Sequence, residues 1–307
     1  MKRSRTLGDK QTARSSKAEE DAGNSSEAGN TSGGPDGAGA DMGEAKWEPP
    51  NWETVLENIK QMRIGKDAPV DTMGCERTME DNVAPKVRRF QTLLSLMLSS
   101  QTKDPVTYAA MERLKSGRSL TIDKILDMSE EELGKTIIPV GFWKKKSIYI
   151  QKTSQILRDK YNDDIPDTIE GLCSLPGVGP KMAYIAMNVA WEKNAGIGVD
   201  THVHRISNRL GWTGKKETKN PEATRKALES WLPSEVWQEF NILLVGFGQT
   251  VCVPLKPKCS SCLNNQLCPF GKAELRSRKG STKKSKKSKF PKEEESSDDV
   301  DEISKYF

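Results

Sequence analysis

Apolar residues recur every three or four positions through the middle of the chain. In residues 86–100, KVRRFQTLLSLMLSS, the side chains Val87, Phe90, Leu93, Leu94, Met97 and Leu98 make one wide apolar face, the mark of a helix laid against a core. Ser129 followed by Glu132 fits a capping box, in which hydroxyl and carboxylate satisfy orphan backbone N–H groups, so a helix is predicted to start there. Asn220-Pro221 opens another, proline being tolerated in a first turn. Ser234 reads as the start of a helix running to about Phe247. Two further helical stretches, residues 167–174 and 180–191, flank a glycine turn. Sustained two-residue alternation and any repeat of fixed period are missing. The expected fold class is all-α.

The pattern stops toward both ends. Residues 1–46 are mostly Gly, Ser, Asp, Glu and Lys, too poor in apolar surface to offset the entropy of ordering them. From about Gly271 the chain passes into a basic run, RSRKGSTKKSKKSK, and then an acidic one, EEESSDDVDE. Residues 1–46 and 271–307 are therefore read as disordered tails around a core at 47–270, enough for one good interior or two lobes with a cleft. The net charge of +5 says little by itself, and the local basic runs matter more. No stretch is apolar enough to span a bilayer and no signal-peptide hydrophobic region follows the first residues, so a soluble intracellular protein is expected. Six cysteines in a reducing compartment point to metal binding before disulfides.

Four of those cysteines, Cys252, Cys259, Cys262 and Cys268, fall in a C-x6-C-x2-C-x5-C loop bracketed by Pro254, Pro257 and Pro269. Thiolate-rich sets favour zinc or an iron–sulfur cluster, and on spacing alone both fit. The wide first spacing is unlike the two close pairs of a zinc ribbon. His202 and His204 are the only histidines, which excludes Cys/His fingers. Cys75 and Cys173 lie apart and read as ordinary thiols.

The turn Leu175-Pro176-Gly177-Val178-Gly179-Pro180-Lys181 lies between helices. Its two glycines allow backbone N–H groups to point outward at a helix start and bind a phosphate. A plain helix–helix connector would use the same residues. Lys181 falls in the first turn of the second helix, where the positive end of the dipole disfavours its charged form and raises the fraction of nucleophilic amine. The alternative is a solvated surface lysine. Asp200, in VDTHVHR, reads equally as an N-cap and as a catalytic carboxylate, and the two roles are compatible. Arg205 and Arg209, one turn apart, fit a structural role as well as phosphate binding.

Taken in order, LPGVGPK, VDTHVHR and the four-cysteine loop resemble the endonuclease III family of DNA glycosylases in its eukaryotic form, over about residues 47–270. KVRRFQTLLSLMLSSQTKD also looks like that family's early helix and DNA-probing loop. The resemblance implies a [4Fe-4S] cluster on Cys252, Cys259, Cys262 and Cys268. It implies two helical lobes with DNA bound across the cleft between them: a six-helix lobe at residues 82–194 carrying the helix-hairpin-helix, and a cluster lobe of residues 47–81 plus 195–270. It further implies a base-excision-repair glycosylase for oxidised pyrimidines, with a lyase step through a Lys181 Schiff base assisted by Asp200. Gln101 would fill the space left by a flipped nucleotide. Phe142 would wedge the opposite strand, with burial in the core as its alternative. Gly177 and Gly179, with Lys256 and Lys258 of the cluster loop, would hold phosphates.

An adenine glycosylase shares the layout but generally lacks the lysine at position 181, and an 8-oxoguanine glycosylase should lack the four-cysteine loop. From other classes, a non-catalytic DNA-binding module or a zinc-dependent regulator would keep the metal loop without using both Lys181 and Asp200. The expected partner is duplex DNA carrying oxidised pyrimidines or abasic sites, bound by a monomer, with other repair proteins reached through the tails. The basic run at residues 278–292 suits added DNA affinity, nuclear import or a merely solvated tail. The expected localisation is the nucleus, with the mitochondrion as a second destination.

Overall fold

A computed structural model of the protein describes residues 47–285. The tail readings at residues 1–46 and 286–307 lie outside the described residues. The described chain is all-α, with no strand among the described residues. In order, the helices are α1 (Trp52–Met62), α2 (Pro69–Met73), α3 (Pro85–Ser99), α4 (Asp104–Lys115), α5 (Ile122–Leu126), α6 (Glu130–Ile137), α7 (Trp143–Tyr161), α8 (Ile169–Cys173), α9 (Pro180–Ala190), α10 (Thr201–Leu210), α11 (Pro221–Glu229), α12 (Trp237–Thr250) and α13 (Pro269–Ser285). Short 3-10 turns at Cys75–Arg77 and Ser234–Val236 precede α3 and α12. No helix among the described residues is long and apolar enough to cross a membrane.

The local signals act where the sequence puts them. The Ser129 N–H donates to the Glu132 carboxylate at 2.8 Å while the Glu132 N–H returns to the Ser129 hydroxyl, opening α6. Asn220 caps α11 by accepting from the Ala223 N–H at 2.8 Å. Thr121 and Thr168 do the same for the short helices α5 and α8.

Buried apolar side chains gather in two clusters. The first is built from one continuous stretch between Phe90 and Met187, with α3 packed on α9 and α7 on α5 and α6. The second combines Val55, Leu56 and Ile59 of α1 with residues from Ile197 to Phe247, chiefly on α10 and α12. At its centre Trp212 meets Trp231 edge-on at 5.9 Å and Phe240 at 5.8 Å, and the Trp231 indole N–H donates to the Trp212 carbonyl. The two clusters are bridged by α2, which packs on both α4 and α12. Gln249 of α12 accepts from the Val70 N–H at 3.0 Å and donates to the Asp104 carboxylate at 2.7 Å, tying α12, α2 and α4 together.

One difference from the sequence reading lies at the C-terminal side. Residues 271–285, read as the start of a disordered tail, continue α13. The helix needs no apolar stripe because its first turn is anchored. The Gly271 N–H reaches the Cys268 sulfur at 3.3 Å, the Phe270 ring lies 4.4 Å from the Arg209 guanidinium, and Glu274 pairs with Arg278 one turn on.

The seat of α2 depends on a charge held under cover. Arg63 is 6% exposed and its guanidinium meets Asp71 at 2.5 Å and Asp67 at 3.0 Å. Asp71 is nearly buried as well, whereas the Asp67 side chain is 69% exposed. Removing Asp71 strands a buried cation, and Asp71→Ala is expected to cost about 3 kcal/mol. Asp67→Ala should cost about 1 kcal/mol or less. Urea unfolding of both variants checks this, and equal losses would contradict the assignment.

Candidate active site

The turn before α9 is held open by its own geometry. Gly177 has φ +79°, and a Cβ there would lie 2.5 Å from the Tyr149 ring, so the position excludes other residues on both counts. Gly179, the residue before α9, has open space around it, and no side chain caps the helix start. Pro180 at the first position has no N–H to satisfy. The amides of the first turn thus face outward without an internal partner, as anion binding requires.

Lys181 rises from that turn and is half-buried. It lies within electrostatic reach of Cys75, Lys146 and His202. Asp200 begins α10 and caps it, accepting from the Val203 N–H at 2.8 Å. The capping reading is therefore correct, and it leaves a second carboxylate oxygen free of that bond. His202, in the first turn of α10, feels Asp200, Asp104 and Lys181 together. Lys181 thus belongs to the stretch that builds the first cluster and Asp200 to the stretch that builds the second, and both act electrostatically on His202. Burial pushes the His202 imidazole below its ordinary pKa, with Asp200 opposing and Arg205 reinforcing. The Arg205 guanidinium, which can only donate, lies 3.2 Å from His202 Nδ1. Nδ1 therefore accepts, and the neutral ring carries its proton on Nε2. Burial also raises the Cys75 thiol to about 12, with Glu76 adding to the effect. Cys75 is thus an ordinary thiol rather than a nucleophile.

Gln101 and Phe142 are both exposed, and both have left-handed backbone, with φ 51° and 57°. Phe142 is 62% exposed, so the core alternative for it does not hold. Lys256, itself at φ 51°, and Lys258 project from the loop after α12.

Cys252, Cys259, Cys262 and Cys268 line one cavity of about 30 Å³ together with Arg209, Phe247 and Phe270. Among the described residues, no three side chains of His, Cys, Asp or Glu converge on a point that one ion would fill. The donor set is all sulfur, the chemistry that zinc or an iron–sulfur cluster takes. Burial pushes the Cys262 thiol up to about 11 and raises those of Cys259 and Cys268. Two arginines of α10 hold the loop. Arg205 donates to the Gly248 and Cys252 carbonyls at 3.2 and 3.0 Å. Arg209 donates to the Val253 and Pro254 carbonyls at 2.9 and 2.8 Å and reaches the Cys252 sulfur at 3.3 Å. Both are structural. Asn264, fully buried, ties the same loop to α1 through the Val55 carbonyl and the Asn58 amide.

Four residues of this region escape sequence reasoning: His202, Asp104, Gln249 and Lys146. Only Lys146 left a signal. It stands in a KKK run that reads as solvated, yet with Ile150, Thr153 and Leu157 it marks the buried face of α7 at helical spacing.

Residues 94–234 match the HhH-GPD superfamily of base excision DNA repair proteins. Endonuclease III-like protein 1 of Gallus gallus is 58% identical over 227 residues, covering 74% of this chain and 80% of that protein. The Bos taurus protein of the same name is 57% identical over 237 residues, 77% of each chain. Among solved structures, a trapped endonuclease III–DNA covalent intermediate with an estranged adenine superposes with TM-score 0.63 at 31% identity. It covers 73% of this chain and 97% of that one. With more than half of the aligned positions identical to the Gallus gallus and Bos taurus relatives, the chain belongs to the endonuclease III family of helix-hairpin-helix base excision repair proteins.

Proposed function

We propose that the protein is a bifunctional DNA glycosylase that excises oxidised pyrimidines and then nicks the strand by β-elimination. The observation that carries this reading is that Lys181, on the uncapped start of α9, and Asp200, on the start of α10, both act electrostatically on His202. A lesion inside a duplex must be flipped out, which costs a few kcal/mol and less for a damaged base. The amides before α9 take a backbone phosphate without a side chain. Gln101 fills the vacated space and Phe142 wedges the opposite strand, a role that suits two exposed side chains on strained backbone.

The Lys181 amine attacks C1′ of the flipped nucleotide and the damaged base leaves with the glycosidic electron pair. Asp200 stabilises the positive charge that develops on the sugar and relays protons. Ring opening gives an imine between Lys181 and C1′. Loss of a C2′ proton then breaks the C3′–O bond and releases the 3′ phosphate. A water or hydroxyl nucleophile would remove the base but could not form the imine, so the amine is what makes the nick available.

Cys252, Cys259, Cys262 and Cys268 would hold a [4Fe-4S] cluster. When bound, it supplies a covalent staple for the loop carrying Lys256 and Lys258, which then faces a phosphate. The basic run at residues 278–292 suits added salt-dependent affinity and nuclear import, and mitochondrial delivery is the second destination in this reading.

Borohydride trapping on a duplex with one oxidised pyrimidine should give a covalent adduct for the wild type and none for Lys181→Gln, a loss of at least about a hundredfold. Base release by both proteins with no adduct from either would make the protein a monofunctional glycosylase. Gly179→Ala adds a methyl into open space, so its unfolding free energy should stay within about 0.5 kcal/mol of wild type, while duplex affinity falls about tenfold. Unchanged affinity would reduce the hairpin to a connector. The purified protein should be brown and carry roughly four iron atoms per chain with matching sulfide. Cys262→Ser should lose both colour and iron. A colourless protein holding zinc would overturn the cluster assignment.

A further inference from the structure

Lys146 is 7% exposed although it lies in a run of three lysines at the start of α7. Among the described residues its ammonium meets no carboxylate. It donates instead to the Leu98 and Ser100 carbonyls, each at 2.6 Å, and to the Thr102 hydroxyl at 3.2 Å. The first two acceptors belong to the C-terminal end of α3 and the residue after it, where carbonyls lack intrahelical partners and the dipole favours a cation. Burial, with Lys181 adding to it, brings Lys146 down to about 8, so the charge is costly to keep there and three acceptors offset that cost.

The Thr102 hydroxyl is a junction. It donates to the Ser100 carbonyl, and it accepts from both the Lys146 ammonium and the Gly141 N–H, the latter at 3.1 Å. Gly141 also lies so near that a Cβ there would come within 2.6 Å of the Gln101 carbonyl. Gln101 and Phe142, the residues flanking this junction, both have exposed side chains on left-handed backbone. We infer that Lys146 is a positioning residue: through the Thr102 hydroxyl it bolts the Gln101 loop and the Phe142 loop into one rigid unit and so sets the spacing of the two DNA probes. The inference rests on the proposed reading of Gln101 and Phe142 as probes. It makes that reading more specific, because the two side chains then enter the duplex together or not at all. Probes held to within about 0.5 Å need this kind of support from behind.

The test uses the full chain and a duplex in which 2-aminopurine lies opposite a tetrahydrofuran abasic analogue. Insertion of the probes unstacks the 2-aminopurine and raises its fluorescence. The wild type should give the full rise at saturating protein, and Thr102→Ser, which keeps the hydroxyl, should match it. Lys146→Met and Thr102→Val should each cut the rise at least about threefold and slow single-turnover excision of an oxidised pyrimidine about tenfold. Thermal unfolding identifies any variant that fails to fold, and should Lys146→Met do so, Thr102→Val alone decides. A full rise from Lys146→Met or Thr102→Val overturns the inference, as does loss in Thr102→Ser equal to that in Thr102→Val. No rise from the wild type overturns it too. A wild type that raises the fluorescence normally but excises nothing would sink the proposed function and leave the inference standing.

Discussion

The last carbonyls of a helix and those just beyond it need partners, and the chain leaving α12 has no regular structure with which to pair its own. Two arginines of α10 meet that demand, taking the carbonyls of Gly248, Cys252, Val253 and Pro254. Much else follows from this one arrangement. The carbonyls fix the start of the cysteine loop, and the Arg209 guanidinium supports Phe270 at the start of α13. On the same helix, Arg205 orients His202, and Asp200 caps the first turn. A single ten-residue helix therefore sets the acid, the imidazole beside it and the loop of thiols, while its apolar side, Val203, Ile206 and Leu210, lies in the second cluster. Replacing either arginine by lysine would keep the charge but lose the planar fork that reaches several carbonyls at once.

The placement of the site also has a physical logic. In the proposed reading, an amine nucleophile and a carboxylate that do not pair with each other in the resting protein each remain available to substrate. Here they come from different clusters and share His202 as neighbour. Gln249 and α2 tie those clusters together close by, since Gln249 donates to Asp104 and Asp104 also acts on His202. These bonds tie the two clusters together beside Lys181 and Asp200.

Much of this was legible in the residues alone. The helices announce themselves by period and cap: α3 by its apolar face, α6 by Ser129 and Glu132, α11 by Asn220-Pro221. The hairpin, Asp200 and the four cysteines carry a local pattern that chemistry can interpret. What could not be read is whatever depends on residues distant in the chain. Arg205 and Arg209 find their acceptors more than forty positions away, and Phe142 is exposed because its neighbour Gly141 is pinned to Thr102. The helical state of residues 271–285 was hidden for another reason. A charged segment with no apolar stripe carries no periodic signal, and its first turn is organised by Cys268 and Arg209 rather than by its own side chains.

The two apolar clusters differ in how the chain supplies them. The first is drawn from one unbroken stretch, Phe90 to Met187, whereas the second needs α1 and then the residues from Ile197 onward. During synthesis, then, Val55, Leu56 and Ile59 emerge well over a hundred residues ahead of everything they pack against. At about 5–20 residues per second that face waits roughly 10–30 s in water. The intervening stretch can close on itself meanwhile, and in doing so it draws α1 toward the point where α10 and α12 will appear. The order of translation thus favours completing the half that bears Lys181 before the half that bears Asp200. A ribosome that stalls between the two would hold a chain with the hairpin formed and no partner for it.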